Sequence, residues 1–97
     1  MRRSKLETYI DILKVLSFKG PLKSTHIMYK ANVNFSALKE QLNFLTKQGL
    51  VEERKIGKTK VAYALTPRGR TVLMYFHELK QALPIIEESR KQTATPY

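Results

Sequence analysis

Apolar residues recur with a helical period at the start of the chain. They stand three or four positions apart, at Leu6, Ile10, Leu13 and Leu16. This spacing predicts a helix over about residues 4–18. Ser4 followed by Glu7 is the signature of a capping box at its start. Gly20 and Pro21 should end it, because glycine suits the left-handed cap and proline cannot continue the hydrogen-bond ladder.

Two more helices are predicted close behind the first. Ser24 and Thr25 are candidate caps for a short helix that runs to about residue 31. Asn34 is the expected cap of a third helix, over about 35–48, with Gly49 just past its end. Four apolar positions of the third helix are expected to face the core, namely Phe35, Leu38, Leu42 and Leu45.

The apolar period then changes from helical to alternating. Val61, Tyr63 and Leu65 occupy alternate positions, which is typical of a strand. With the segment before it, this pattern predicts a two-stranded ribbon over about 51–56 and 60–65. Gly57 is expected to supply the positive φ that a tight hairpin needs.

A last helix is predicted to begin with Thr66 as its cap and Pro67 at its first position. Apolar residues then recur at steps of four and three, as in a coiled-coil seam. Pro84 falls inside this pattern and is expected to kink the helix. The five candidate dimerisation residues of the seam are Val72, Phe76, Leu79, Leu83 and Ile86.

The order helix, helix, turn, helix and ribbon is that of the winged helix-turn-helix, which places its last helix in the major groove of DNA. The predicted fold class is mainly α with a small β-ribbon: a winged helix-turn-helix plus a long C-terminal coiled-coil helix. We expect residues 1–70 to form a DNA-binding domain, 71–90 a dimerisation helix and 91–97 a flexible tail.

A winged helix-turn-helix domain is complete near residue 70. Later apolar residues of the helix would then stay exposed, at about 1.5–3 kcal/mol each, unless a second copy covers them. We therefore expect a homodimer, and the sequence leaves a parallel or antiparallel coil open.

Charge narrows the class of partner. The 97 residues carry 18 Lys and Arg against 8 Asp and Glu, a net charge of +10, and a surplus of this size favours a polyanion. On the third helix the outward polar residues could contact phosphates or base edges, and they are Ser36, Lys39, Asn43 and Lys47. Glu40 shares this face and either reads a cytosine amino group or pairs with a cation. From residue 54 to 70 there is no acid, and the six cations expected to neutralise phosphates are Arg54, Lys55, Lys58, Lys60, Arg68 and Arg70.

The sequence lacks the residues that catalytic sites, metal sites and membrane helices usually require. The chain has no cysteine, which excludes disulfides, thiolate zinc sites and cysteine nucleophiles. His26 and His77 lie far apart, and there is no glycine-rich phosphate loop. We expect no enzyme activity, metal, cofactor or small-molecule ligand. No apolar run reaches the ~18 residues of a membrane helix, and the N-terminus lacks a secretory signal. We therefore expect a cytoplasmic, chromosome-associated protein.

One segment, Ile-Met-Tyr-Lys-Ala-Asn-Val-Asn-Phe over residues 27–35, resembles a known family. Ser-Lys-Leu-Glu at 4–7 and Tyr-Ala-Leu-Thr at 63–66, followed by Gly69, extend the likeness over nearly the whole chain. The family is that of small archaeal winged-helix DNA-binding proteins of the "ten-a" type, which are chromatin-associated. The resemblance implies dimers joined by an antiparallel coiled coil that bind double-stranded DNA with little sequence preference. The predicted ribbon, which is the wing of this fold, is longer and more basic than the wing of that family. Pro84 in the last helix is a second departure from it.

Three functions stay open on the sequence. The favoured one is a dimer that compacts or bridges the chromosome with low sequence specificity. A sequence-specific transcriptional regulator could have the same fold. A protein-interaction winged helix would use its basic face to bind an acidic partner.

Overall fold

The computed structural model describes residues 4–83, which form four helices and two strands. In chain order these are α1 (Lys5–Lys19), α2 (Ser24–Ala31), α3 (Phe35–Lys47), β1 (Val51–Lys55), β2 (Val61–Leu65) and α4 (Pro67–Ala82). The mainly helical class with a small ribbon is confirmed. Ile86, the kink expected at Pro84, and the helix and tail expected beyond residue 83 lie outside the described residues.

Two of the predicted caps fix the starts of α1 and α3. At α1 the Ser4 hydroxyl accepts the Glu7 N–H at 3.1 Å, and the Glu7 carboxylate accepts the Ser4 N–H at 2.9 Å. At α3 the Asn34 side-chain oxygen accepts the N–H of Ala37 at 2.9 Å. These bonds satisfy donors that the first helical turn leaves without a partner.

The expected cap of α2 is wrong. Ser24 is the first helical residue, and Lys23 occupies the cap position without a side-chain hydrogen bond. The reason lies one residue earlier, where Leu22 pairs with Tyr63 of β2 through two backbone bonds of 3.0 and 2.8 Å. This pairing holds the chain extended up to Lys23 and sets where the helix can begin.

The ribbon is antiparallel, with register from Val51 opposite Leu65 to Lys55 opposite Val61. The N–H of Ile56 donates to the carbonyl of Lys60 at 3.0 Å and closes a three-residue loop. The expected positive φ at Gly57 is wrong, since the positive-φ glycines of residues 4–83 are Gly20 and Gly49. A loop longer than two residues is not bound to the primed turns that require it.

One cluster of buried side chains joins all four helices to the base of the ribbon. Its members are Ile10, Ile12, Leu13, Leu16, Ile27, Ala31, Val33, Leu38, Leu42, Leu45, Val51 and Phe76. The cluster anchors α3 against α1 and α2 and thereby fixes which face of α3 points outward. Within residues 4–83, no helix combines the length and apolar character needed to cross a bilayer.

Thr66 ties the start of α4 to the turn after α3. Its hydroxyl donates to the carbonyl of Gly49 at 2.6 Å and accepts the N–H of Gly69 at 3.0 Å, as the predicted cap. A Cβ on Gly69 would overlap the carbonyl oxygen of Leu50. Glycine at this position therefore allows α4 to approach the first residues of the ribbon closely.

The apolar seam of α4 divides between the core and the surface. Phe76 is buried in the core cluster and Val72 packs against it. One and two turns further on, Leu79 and Leu83 are 43% and 48% exposed. The first half of the seam serves the domain itself, and the second half is accessible.

Candidate nucleic-acid interface

The outward face of α3 is polar and cationic. Leu38, Leu42 and Leu45 are buried and turn the helix so that its opposite face meets solvent. The predicted contact residues on that face are all exposed, namely Ser36, Lys39, Asn43 and Lys47. Glu40, the acidic residue on the same face, is exposed as well. The helix therefore offers hydroxyl, amide and ammonium donors on one surface.

The two phenylalanines of α3 lie outside the core. Phe35 was expected in the apolar ladder, but this is wrong, because 55% of the residue is exposed. Phe35 is the first residue of the helix and precedes its first buried leucine, Leu38. Phe44 stacks on Tyr9 of α1, with ring centroids 4.8 Å apart and planes 17° apart. The sequence period alone missed this ring pair.

The wing, defined as residues 51–65, projects from the domain beyond its base. Val51 is buried at the base, whereas every residue from 52 to 60 is exposed. Lys58 and Lys60 stand at the tip, and Lys55 lies at the end of β1 opposite Val61. Three ammonium groups therefore occupy the most accessible part of the wing.

Arg54 already has an acidic neighbour. Its Nε lies 2.8 Å from a carboxylate oxygen of Glu52, with both side chains about half exposed. An exposed pair of this kind contributes about 0–1 kcal/mol, so a phosphate could displace the carboxylate at little cost. Residues two apart on a strand share a face, so Glu52 can reach Arg54. The acid-free segment considered in the sequence, residues 54–70, did not show this pair, because Glu52 lies just before that segment.

Arg68 and Arg70, both exposed, lie on different sides of α4. Arg68 runs alongside Gly49, so it lies at the end of α3 near the base of the wing. Arg70 lines a groove between α1 and α4 together with Ser17 and His77. The structure therefore places Arg68 beside the turn that joins α3 to the wing, and Arg70 in the groove between α1 and α4.

Among residues 4–83, a tyrosine of the ribbon has a shifted pKa. Burial, and secondarily the charge of Glu53 across the ribbon, raises the pKa of Tyr63 above its usual value. No group of three or more His, Cys, Asp or Glu that could hold a metal ion occurs within residues 4–83. His77 instead meets the amide of Gln81 one turn along α4, at 3.3 Å.

The chain is similar in sequence to a known protein family and to two archaeal proteins. Residues 2–83 match the family model described as winged helix-turn-helix. The uncharacterized protein MJ0944 of the archaeon Methanocaldococcus jannaschii is 34% identical over 84 residues, which cover 82% of this chain and 67% of that protein. A second relative from that organism, MJ0290, is 32% identical over 79 residues, and this chain spans only 35% of its length.

Two solved structures extend the comparison. A MarR-family transcriptional regulator from Silicibacter pomeroyi is 27% identical with a TM-score of 0.72, covering 93% of this chain and 60% of that one. Sso10a-2, a DNA-binding protein from Sulfolobus solfataricus, is 18% identical with a TM-score of 0.75, covering 95% of this chain and 94% of that one. The expected resemblance to archaeal winged-helix proteins is confirmed. The chain belongs to the winged helix-turn-helix family and has the fold of DNA-binding regulators.

Proposed function

We propose that the protein binds double-stranded DNA through α3 and the wing, as a homodimer with little sequence preference, and thereby organises the chromosome. One observation carries the proposal. Three buried leucines turn a polar, cationic face of α3 outward, beside a wing whose tip is exposed and bears Lys58 and Lys60.

The contacts divide by position. Residues of α3 would enter the major groove, and these are Ser36, Lys39, Asn43 and Lys47. Lys58 and Lys60 would contact the backbone beyond that groove. Lys55, Arg68 and Arg54, once released from Glu52, would neutralise phosphates near the base of the wing. Arg70, on the side of α1, would act through the long-range field of the domain.

Low sequence preference follows from the kind of cation on α3. Its outward face carries lysines and no arginine. A lysine ammonium is a point charge that suits phosphate, whereas the bidentate reading of guanine is best done by arginine. The fold shared with Sso10a-2, a DNA-binding protein, is consistent with this reading.

The exposed end of α4 supports a dimer. Leu79 and Leu83 are accessible, and Tyr75 lies one turn before Leu79 on the same stripe. Covering such side chains is favourable by about 1.5–3 kcal/mol each when burial is complete. A matching stripe from a second copy would achieve this, and Val72 and Phe76 would support the helix from within each domain.

The dimer can be tested by changing charge on that stripe. Leu79→Glu combined with Leu83→Glu should convert a dimer to a monomer in sedimentation equilibrium, because two carboxylates would be buried against their copies. Gln81→Glu, exposed on the same helix, is the matched control and should remain dimeric. If the double variant stays dimeric, another surface joins the subunits.

DNA binding can be tested by mobility shift on random and genomic duplexes at two salt concentrations. We expect both DNAs to be retarded alike, with affinity lost steeply between about 50 and 200 mM salt. A complex with an acidic protein, together with no retardation of DNA at low salt, would contradict the proposal.

The second candidate is a sequence-specific regulator. The MarR-family protein from Silicibacter pomeroyi, 27% identical over 93% of this chain, is a transcriptional regulator. Asn43 could read an adenine edge on this view. Selection from random duplexes decides, since a regulator should recover one site bound about 10³-fold or more tightly than random DNA.

A further inference from the structure

Phe35 is an exposed aromatic side chain that the domain itself does not use. More than half of it is accessible, and it is not part of the core cluster. Phe44, on the same helix, has its ring against Tyr9. Within residues 4–83, Phe35 has no such ring partner.

The position of Phe35 matters because recognition helices approach base edges with their N-terminal residues. Asn34, just before it, already accepts the N–H of Ala37 with its side-chain oxygen. Ser36 follows and is exposed. The phenyl ring of Phe35 is therefore the apolar group that this end of α3 can bring to a base pair, beside the Ser36 hydroxyl and the Asn34 amide N–H groups.

A phenyl ring can neither donate nor accept a conventional hydrogen bond, so it cannot read the polar base edges. The apolar feature of the major groove is the C5-methyl group of thymine. We infer that Phe35 packs against thymine methyl groups and gives this protein a preference for thymine-containing duplexes. This inference rests on the proposed DNA binding and adds a residue that biases it.

The test removes the methyl group without changing anything else at the base edge. Two duplexes of the same sequence are compared, one with thymine and one with uracil at every thymine position. Wild-type protein should bind the thymine duplex about four-fold more tightly, the factor expected for burying one methyl group. Phe35→Ala should bind both duplexes equally, and Phe35→Leu should retain part of the preference.

Phe18→Ala is the matched control, since Phe18 is 84% exposed but lies on α1. It should keep the wild-type preference. A thymine preference that survives Phe35→Ala would come from DNA shape and would overturn the inference, as would equal binding of both duplexes by the wild type. Those results would leave DNA binding intact. Failure of the wild type to retard either duplex would instead overturn the proposed function itself.

Discussion

Helices α3 and α4 use the same kind of apolar seam for different purposes. In α3 the seam from Leu38 to Leu45 is buried, and what remains outside is polar apart from its two phenylalanines. In α4 the seam is buried only as far as Phe76, and what remains outside includes Leu79 and Leu83. The surface of α3 therefore suits a polar, charged ligand, whereas the end of α4 suits an apolar one.

The difference shows what a heptad-like spacing can and cannot specify. Spacing determines which residues share a face of a helix. What covers that face depends on how far the domain extends beneath it. The core lies beneath α3 from Leu38 to Leu45 but ends under the middle of α4.

The largest difference in stability should appear when a leucine is truncated to alanine in the seam of α3 and in the seam of α4. Leu38→Ala should lower the free energy of unfolding by about 2–5 kcal/mol, because it leaves a cavity in the core. Leu79→Ala should cost about 0.5 kcal/mol or less at concentrations where the protein is monomeric, as for other surface changes. Urea denaturation measures both, and equal losses would contradict the distinction.

A smaller effect should come from the close approach at the start of α4. Gly69→Ala should destabilise the domain by about 1–3 kcal/mol, because its Cβ would meet the backbone of Leu50 and force a shift. Gly57→Ala, in the open loop of the wing, is the control and should be nearly neutral. Thermal unfolding followed by circular dichroism compares the two variants.

The cap of α3 should contribute next. Asn34→Ala removes the acceptor for the Ala37 N–H and should cost about 1 kcal/mol. Ser36→Ala, two residues on and exposed, should leave the unfolding free energy unchanged. Equal stabilities of the two variants would mean that the cap does not stabilise α3.

The smallest difference in stability should appear between two partly exposed aromatic residues, Phe44 of α3 and Tyr75 of α4. Phe44→Leu loses the stacking on Tyr9 and should cost about 0.5–1 kcal/mol. Tyr75→Leu, on the surface of α4 and without a ring partner in residues 4–83, should have no measurable cost in the monomer. Denaturant midpoints of the two variants provide the comparison.

Local signals in the sequence predicted most of the fold. Ser4, Asn34 and Thr66 identified three helix starts, because a capping bond joins residues two or three apart. The failures at Ser24 and Gly57 have a different origin. The start of α2 depends on the pairing of Leu22 with β2, some forty residues away, and the wing turn depends on its loop length.

The candidate interface was predictable to the same extent. The period of α3 correctly identified its exposed polar residues, because three leucines fix the rotation of the helix. It did not separate Arg68 from Arg70, whose surroundings depend on how α4 packs against α1 and the turn after α3. The exposure of Phe35 was also missed, since the period does not tell where the core ends.

The salt dependence of affinity tests most directly whether α3 and the wing bind duplex DNA through its phosphates. Log K should fall with log salt at a slope of about −4 to −5 per domain. Lys58→Glu combined with Lys60→Glu should weaken binding to all sequences alike and make the slope shallower by about 2. An affinity that does not change with salt, or a double variant that retains the wild-type slope, would contradict the account.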